Sequence, residues 1–118
     1  MPTTITLRFA GDPMPAPRPR FGKGVTYMAV KYTAYKEVLG WAFREQLKKP
    51  LEGPLALTLD FYRRTRQRCD LDNLEKTVLD AGSNVAWVDD AQIIDMHSRK
   101  FLGCADPRTE VTLTEVDG

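Results

Sequence analysis

Two aspartates, Asp70 and Asp72, stand two residues apart in the run DLDN and are the first candidates for chemistry in this chain. The surrounding pattern predicts that an extended segment enters a helix here, and residues i and i+2 of an extended segment point to one side. Both carboxylates would then share a surface, with Leu71 turned away from it. Lys76 follows one helical turn after Asp72, so its ammonium is expected beside the same acidic edge.

A second acidic pair, Asp89 and Asp90, lies in the run WVDDAQ directly before a predicted strand. If the elements pack side by side, Asp90 supplies a third carboxylate to the first two. Mg²⁺ and Mn²⁺ prefer oxygen ligands and are commonly held by a few carboxylates together with substrate phosphates. Carboxylates about 4 Å apart repel by roughly 4 kcal/mol at an effective dielectric of about 20, so a cluster of three favours a bound cation. Such an ion also activates a water without a catalytic histidine.

Each of these residues has an ordinary structural interpretation as well. An aspartate at the start of a helix is usually a cap. A lysine such as Lys76 is usually half of a surface ion pair, and Asp89 with Asp90 would suit a polar turn. On spacing alone the metal site is the less common outcome, because motifs of this length recur by accident.

The strands that position these residues are predicted from apolar residues alternating with polar ones. The alternation indicates a first strand at residues 3–9 and a second that begins near Leu55 and runs into the basic residues after Phe61. Two further strands are expected at residues 92–102 and 110–116, where β-branched residues fit a pleated surface.

Two helices are predicted from apolar residues at helical spacing. The first covers roughly residues 33–49, with Thr33 as its cap and Pro50 as its stop. The second is shorter, begins near Asp72 and ends at Gly82, a residue type suited to helix ends. The element order is strand, helix, strand, helix, strand, strand, which predicts a single α+β domain over residues 1–118 with two helices packed on one mixed sheet.

Composition indicates the class of protein. A chain of 118 residues, of which 42% are hydrophobic and 28% charged, is typical of one folded domain. No apolar run approaches the roughly 20 residues that cross a bilayer, and the first residues lack a signal-peptide pattern, so we expect a cytoplasmic protein without a membrane partner. Cys69 and Cys104 are too few for a disulfide framework or a zinc site and are expected to be reduced thiols.

A net charge of +1 does not by itself indicate a nucleic-acid partner, so that inference depends on where the basic residues lie. One basic segment, RRTRQR at 63–68, leads straight into Asp70 and contains Arg63, Arg64, Arg66 and Arg68. It would draw a phosphate backbone toward the acids, or else form a solvated strand end that limits edge pairing. The other is the proline-rich run at 11–24, predicted to be an extended loop that carries Arg18, Arg20 and Lys23.

The single histidine, His97, is predicted to lie on the polar face of a strand with Asp95 and Arg99. We therefore expect a hydrogen-bonded surface residue rather than a general base. The tryptophans and most of the tyrosines have the chemistry to stack on unpaired bases, but packing is the commoner use of such rings and none is assigned to DNA.

The runs DLDNLEKTVLDA at 70–81 and WVDDAQIID at 87–95 together resemble the signature of the RusA family of Holliday-junction resolvases. The loop PAPRPRFGKG followed by Tyr27 is similar to the N-terminal region of the phage and prophage branch of that family. The match covers most of the chain in order and spacing. It implies a homodimeric α+β endonuclease that binds four-way DNA junctions and makes paired nicks with Mg²⁺ or Mn²⁺ during recombination and repair.

By position, the resemblance implies that Asp70, Asp72 and Asp90 are the catalytic acids and metal ligands and that Lys76 is an essential basic residue. It implies supporting roles for Asp89 and for Asn73, which would orient a carboxylate or a phosphate.

Two departures from the family pattern bear on this assignment. Gly82, Ser83 and Asn84 stand where the family often reads Leu-Asn-Gly. An earlier end of the helix is expected here, and it would change the position of Asp90 relative to Asp70. Val88 stands where relatives often carry a basic residue, which removes one phosphate contact. Two alternatives to a junction-resolving nuclease stay open. One is a branched-DNA-binding protein that has lost its cleavage activity, and the other is a nuclease of broader specificity that also cuts flaps or forks.

Overall fold

The fold follows from a computed structural model that describes residues 4–16 and 27–116. Its elements come in the predicted order, with a short 3₁₀ turn before the third strand. They are β1 (Thr4–Ala10), α1 (Tyr27–Gln46), β2 (Leu55–Tyr62), α2 (Leu71–Gly82), the 3₁₀ turn (Asp90–Gln92), β3 (Ile93–Phe101) and β4 (Arg108–Glu115). This is the α+β class with two helices and one mixed sheet that the sequence predicts. In the described part of the chain, neither helix is long and apolar enough to cross a membrane.

The four strands lie in the order β1-β4-β2-β3. β4 pairs antiparallel with both β1 and β2, whereas β2 and β3 are parallel neighbours joined by α2. A helix that connects parallel neighbours runs back along the sheet. The amino end of α2 therefore lies at the carboxyl ends of β2 and β3, and its carboxyl end lies where β3 begins.

The core forms on one face of the sheet, where both helices pack. Alternate residues of β2, from Leu55 to Phe61, are at most 1% exposed, and they face buried side chains of α1 and α2. The main helix contributions are Leu39, Phe43, Leu74 and Val78. Phe43 makes edge-to-face contacts with Phe9 and Trp87, with ring centroids 5.8 Å apart in each case. These contacts fix α2 on the sheet and hence the positions of both of its ends.

The first helix is longer than predicted at its start and shorter at its end. It begins at Tyr27 and ends at Gln46, so Thr33 lies inside it and does not cap it. No proline or glycine interrupts residues 27–39, and the helix therefore continues upstream of the stretch whose apolar periodicity was used. Val38, one of the apolar residues counted in that periodicity, is more than 60% exposed, as is Trp41.

Candidate active site

The amino end of α2 carries the first acidic pair. Asp70 is the residue before the helix and has extended backbone angles, φ −76° and ψ 134°, and its carboxylate makes no capping hydrogen bond. An aspartate at this position ordinarily accepts one from a backbone N–H two or three residues on. Asp72 lies exposed in the first turn, where the helix dipole favours a negative charge. The Asp70 side chain therefore does not cap α2.

The thiol of Cys69 shows which charges gather at this end of the helix. Burial raises the pKa of Cys69 most strongly, two cations (Arg63 and Lys100) lower it, and the carboxylates of Asp70 and Asp72 raise it. Lys100 Nζ also donates to the carbonyl oxygen of Cys69. Both acids thus lie near two basic side chains, and the thiol itself stays neutral near pH 7. Cys69 and Cys104 are not joined, in agreement with the prediction of reduced thiols.

Lys76 does not point to the acidic edge in this structure. Its Nζ lies 3.2 Å from Oδ2 of Asp80, one turn further along α2, and the side chain is 60% exposed. Tyr32 of α1 donates a second hydrogen bond to the same carboxylate, also at 3.2 Å. Burial and the nearby Asp80 raise the pKa of Tyr32 to about 12. Asp80 therefore joins the two helices, a role that sequence reasoning did not find.

The second acidic pair is held by a buried tryptophan. Trp87 is fully buried, and its Nε1–H donates to Oδ1 of Asp90 at 2.6 Å. Asp90 is exposed, so its carboxylate lies at the surface in an orientation set by a rigid ring. Asp89 accepts from the backbone N–H of Ala91 at 2.9 Å and caps the 3₁₀ turn, as its ordinary interpretation suggests.

Gln92 stabilises the same turn and was missed at the sequence level. Its amide Nε2 donates to the carbonyl oxygens of Leu51 and Gly53, at 2.8 and 3.0 Å. Its Oε1 accepts from the backbone N–H groups of Val88 and Asp89, each at 2.8 Å. The available signal was capping-box spacing, because Gln92 follows Asp89 by three residues. This network fixes Asp90 relative to the start of β2.

The two acidic pairs lie at opposite ends of α2. The Trp87 ring packs against Gly82, the last helical residue, so closely that a Cβ there would lie 2.6 Å from Cζ2. Twelve helical residues span about 18 Å, so Asp90 lies roughly one helix length from Asp70. Within residues 4–16 and 27–116 no group of three or more His, Cys, Asp or Glu side chains is placed to hold a metal. The expectation that Asp90 reaches Asp70 and Asp72 within one chain is not met, because the parallel crossover separates them.

Basic residues accompany the first acidic pair. Arg64, Arg66 and Arg68 are exposed on the segment between β2 and α2, and the Arg64 N–H donates to Asp12 at 2.9 Å. The predicted DNA-binding residues of the proline-rich loop, Arg18, Arg20 and Lys23, lie outside the described residues. The start of that loop forms neither helix nor strand, and Ala16 donates to the carbonyl oxygen of Asn73 at 2.9 Å. The loop therefore reaches the amino end of α2.

A cleft of about 420 Å³ opens at this end of the helix. Its walls come from the start of the proline-rich loop, the basic segment and the first turn of α2. They are formed by Pro15, Ala16, Arg63, Gln67, Arg68, Cys69, Asp70 and Asn73. Asp70 and Asn73, two of the predicted site residues, thus share one concave surface with two arginines.

His97 lies outside this region. Its Nε2 is 3.1 Å from Oδ1 of Asp95, and the side chain is 74% exposed. Arg99 pairs with Asp60 instead, at 2.8 Å. The prediction that His97 is a surface residue near Asp95 is confirmed.

Comparison with known proteins gives one consistent match. The family model described as endodeoxyribonuclease RusA matches residues 10–114. The crossover junction endodeoxyribonuclease RusA of Escherichia coli strain K12 is 30% identical over 99 residues, which cover 82% of each chain. The protein of the same name from Enterobacteria phage 82 has the same identity and coverage, and that of Escherichia coli O139:H28 is 27% identical.

Proposed function

The chain belongs to the RusA family of endodeoxyribonucleases, and we propose that it cuts four-way DNA junctions by paired nicks in recombination and repair. The observation that carries this proposal is the position of Asp70, an aspartate at a strand-to-helix junction that lines a cleft together with Arg63 and Arg68. It lies with Asp72 at the end of the molecule where Arg64, Arg66 and Arg68 are exposed. Acids flanked by cations suit a site that must both hold a metal ion and attract a phosphate backbone.

The proposed cofactor is Mg²⁺, for which Mn²⁺ substitutes, held by Asp70, Asp72 and Asp90. Carboxylate oxygens are the ligands that these hard cations prefer. One protomer does not fit a three-carboxylate site, because α2 separates Asp90 from the other two. The assignment of Asp90 therefore requires that this residue come from a second copy of the chain.

A homodimer meets that requirement and also supplies the two active sites that paired nicks need. A two-fold axis beside α2 would set the start of one α2 against the end of the other, so that two identical sites form. Val88 and Ile94, on either side of Asp90, are 50% and 61% exposed. Exposed apolar side chains beside a site residue favour an interface there.

The substrate and place of action follow from the same proposal. The relatives are named crossover junction endodeoxyribonucleases, and we propose branched DNA as the substrate of this chain and the cytoplasm as its place of action. The presence of Asp70, Asp72, Asp90 and Lys76 argues against a protein that binds branched DNA without cutting it. A broader nuclease for flaps or forks is the second candidate, since junction preference depends on the spacing of two sites in a dimer.

Cleavage of a panel of labelled substrates tests the proposed function. The panel contains a mobile four-way junction, a flap, a fork and a plain duplex, each with Mg²⁺, Mn²⁺ or EDTA. We expect cleavage of the junction in both metals and none in EDTA. Faster cleavage of the flap or fork than of the junction would favour the broader nuclease, and binding without cleavage in either metal would favour the inactive binder.

A further inference from the structure

Arg63 is a buried cation that the proposed cleavage chemistry does not use. Its side chain is only 6% exposed, although it is an arginine at the end of a strand. Nη1 donates to the carbonyl oxygen of Gln67 at 2.8 Å. Nε is buried and has no hydrogen-bond partner among the residues that the structure describes. Buried arginines are ordinarily paired, so this side chain has spare hydrogen-bonding capacity.

Arg63, whose Nε donor is unused among the described residues, lines the cleft at the amino end of α2. A buried charge or N–H group without a partner is costly, and an anion in contact with it removes that cost. A cleft of about 420 Å³ has room for roughly a dozen waters at about 30 Å³ each, which is enough for a phosphate and part of a nucleotide.

The charges around the cleft favour an anion. Arg63 and Arg68 line it, and Asp70 is the one carboxylate among the described residues that line it. The first turn of α2 also borders the cleft, and a helix amino end carries partial positive charge.

We propose that this cleft binds a phosphate group of the DNA backbone and that Arg63 is its buried anchor, an inference that rests on the proposed nuclease function. The planar fork of a guanidinium matches phosphate oxygens, and a buried fork holds them in a fixed orientation. Asp70 lines the same cleft, so a phosphate bound to Arg63 lies beside a predicted metal ligand. Arg63 is thus a positioning residue for the DNA strand, distinct from the exposed arginines that follow it.

A purely structural role would give Arg63 a different signature. In that case the side chain only braces residues 63–67 through its bond to Gln67, and no anion reaches it. Nuclear magnetic resonance of the Arg63 Nε–Hε group separates the two roles without any cleavage. The wild-type protein, labelled with ¹⁵N, is titrated in EDTA with inorganic phosphate and separately with a short DNA duplex, and the signal is assigned from its loss in Arg63→Lys.

We expect a saturable shift of this signal with both phosphate and DNA, and none with sodium chloride at equal ionic strength. A shift with phosphate alone would mean an anion site that does not serve DNA, and no shift with either would mean a structural arginine. Both of these results overturn the proposal. A protein that fails to cleave any branched substrate but shows the shift with both ligands would contradict the proposed function and leave this inference standing.

Junction affinity in EDTA gives the second readout. Arg63→Met keeps most of the side-chain volume, and Arg44→Met removes the same charge from an exposed site on α1. We expect roughly tenfold weaker binding for Arg63→Met and a slope of log affinity against log salt smaller by about 0.9. Arg44→Met should stay within about twofold of wild type. Unchanged affinity in Arg63→Met, or an equal loss in both variants, contradicts the proposal. If Arg63→Met does not fold, the resonance titration of the wild type decides.

Discussion

Asp70 and Asp89 are both aspartates directly before a helical turn, yet their carboxylates are used differently. Asp89 accepts the backbone N–H of Ala91, whereas Asp70 makes no capping hydrogen bond to α2. Asp90, next to Asp89, is held at the surface by Trp87. At the scale of single residues, Asp89 therefore stabilises a turn, whereas Asp70 and Asp90 do not cap the helical turns beside them.

This division predicts that alanine destabilises the protein more at position 89 than at position 70. Asp89→Ala should lower the free energy of unfolding by about 1 kcal/mol, because it removes the cap of the 3₁₀ turn. Asp70→Ala should lower it by less than Asp89→Ala does, since the helix loses no capping hydrogen bond there. Urea unfolding of both variants beside the wild type measures the difference. A larger loss in Asp70→Ala than in Asp89→Ala would show that Asp70 is a structural residue after all.

At the scale of elements, α2 decides the geometry of the site. It starts beside Asp70, ends against Trp87, and carries Lys76 and Asp80 along its exposed side. The end of the helix depends on Gly82 because the indole ring occupies the space where a side chain would be. The left-handed conformation after the helix belongs instead to Asn84, with φ 64°. Asparagine tolerates that conformation better than most residues.

Gly82→Ala is therefore expected to displace Trp87 and, with it, Asp90. We expect a loss of about 1–3 kcal/mol in the free energy of unfolding, since a methyl group is forced into a filled space. The fluorescence of the buried Trp87 should also change. Gly53→Ala is the matched control, because nothing lies within 4 Å of a Cβ there and its φ is not positive. Equal, small effects in both variants would contradict the close packing of the indole.

The elements could be predicted from the sequence, but their arrangement could not. The alternation from Leu55 to Phe61 predicts β2 because every second residue enters the core. The start of α1 was wrong by six residues because Thr33 was taken as its cap, although no proline or glycine stops the helix upstream of it. The parallel pairing of β2 with β3 leaves no local signal, since it depends on contacts between distant segments. The sequence could therefore suggest Asp70, Asp72 and Asp90 as a set but not the helix length between them, nor the burial of Arg63.

At the scale of the whole molecule, the separation of the acids predicts that two copies are needed for one site. Mixing Asp70→Asn protein with Asp90→Asn protein tests this. If each site takes Asp70 and Asp72 from one protomer and Asp90 from the other, a mixed dimer contains one intact site and one doubly altered site. We expect each variant alone to be inactive and the mixture, after subunit exchange, to nick the junction at about half the wild-type rate per mixed dimer.

Sedimentation of the wild-type protein alone should accordingly give twice the mass of one chain at micromolar concentration. An inactive mixture whose subunits are shown to exchange would mean that each site lies within one protomer, and full activity of Asp90→Asn alone would mean that Asp90 is not a ligand. A monomer in solution would exclude the shared site in the free protein and favour the flap or fork nuclease.

Cleavage of a labelled four-way junction by the wild type and by Asp70→Asn, each in Mg²⁺ and in EDTA, bears on the function and its site together. We predict that the wild type cleaves only with Mg²⁺ and that Asp70→Asn cleaves at least about a hundredfold more slowly. Binding of the junction should be unchanged or tighter in the variant, because a carboxylate that repels phosphate has been removed. Undiminished cleavage by Asp70→Asn, or cleavage by the wild type in EDTA, would contradict a metal-dependent nuclease centred on the amino end of α2.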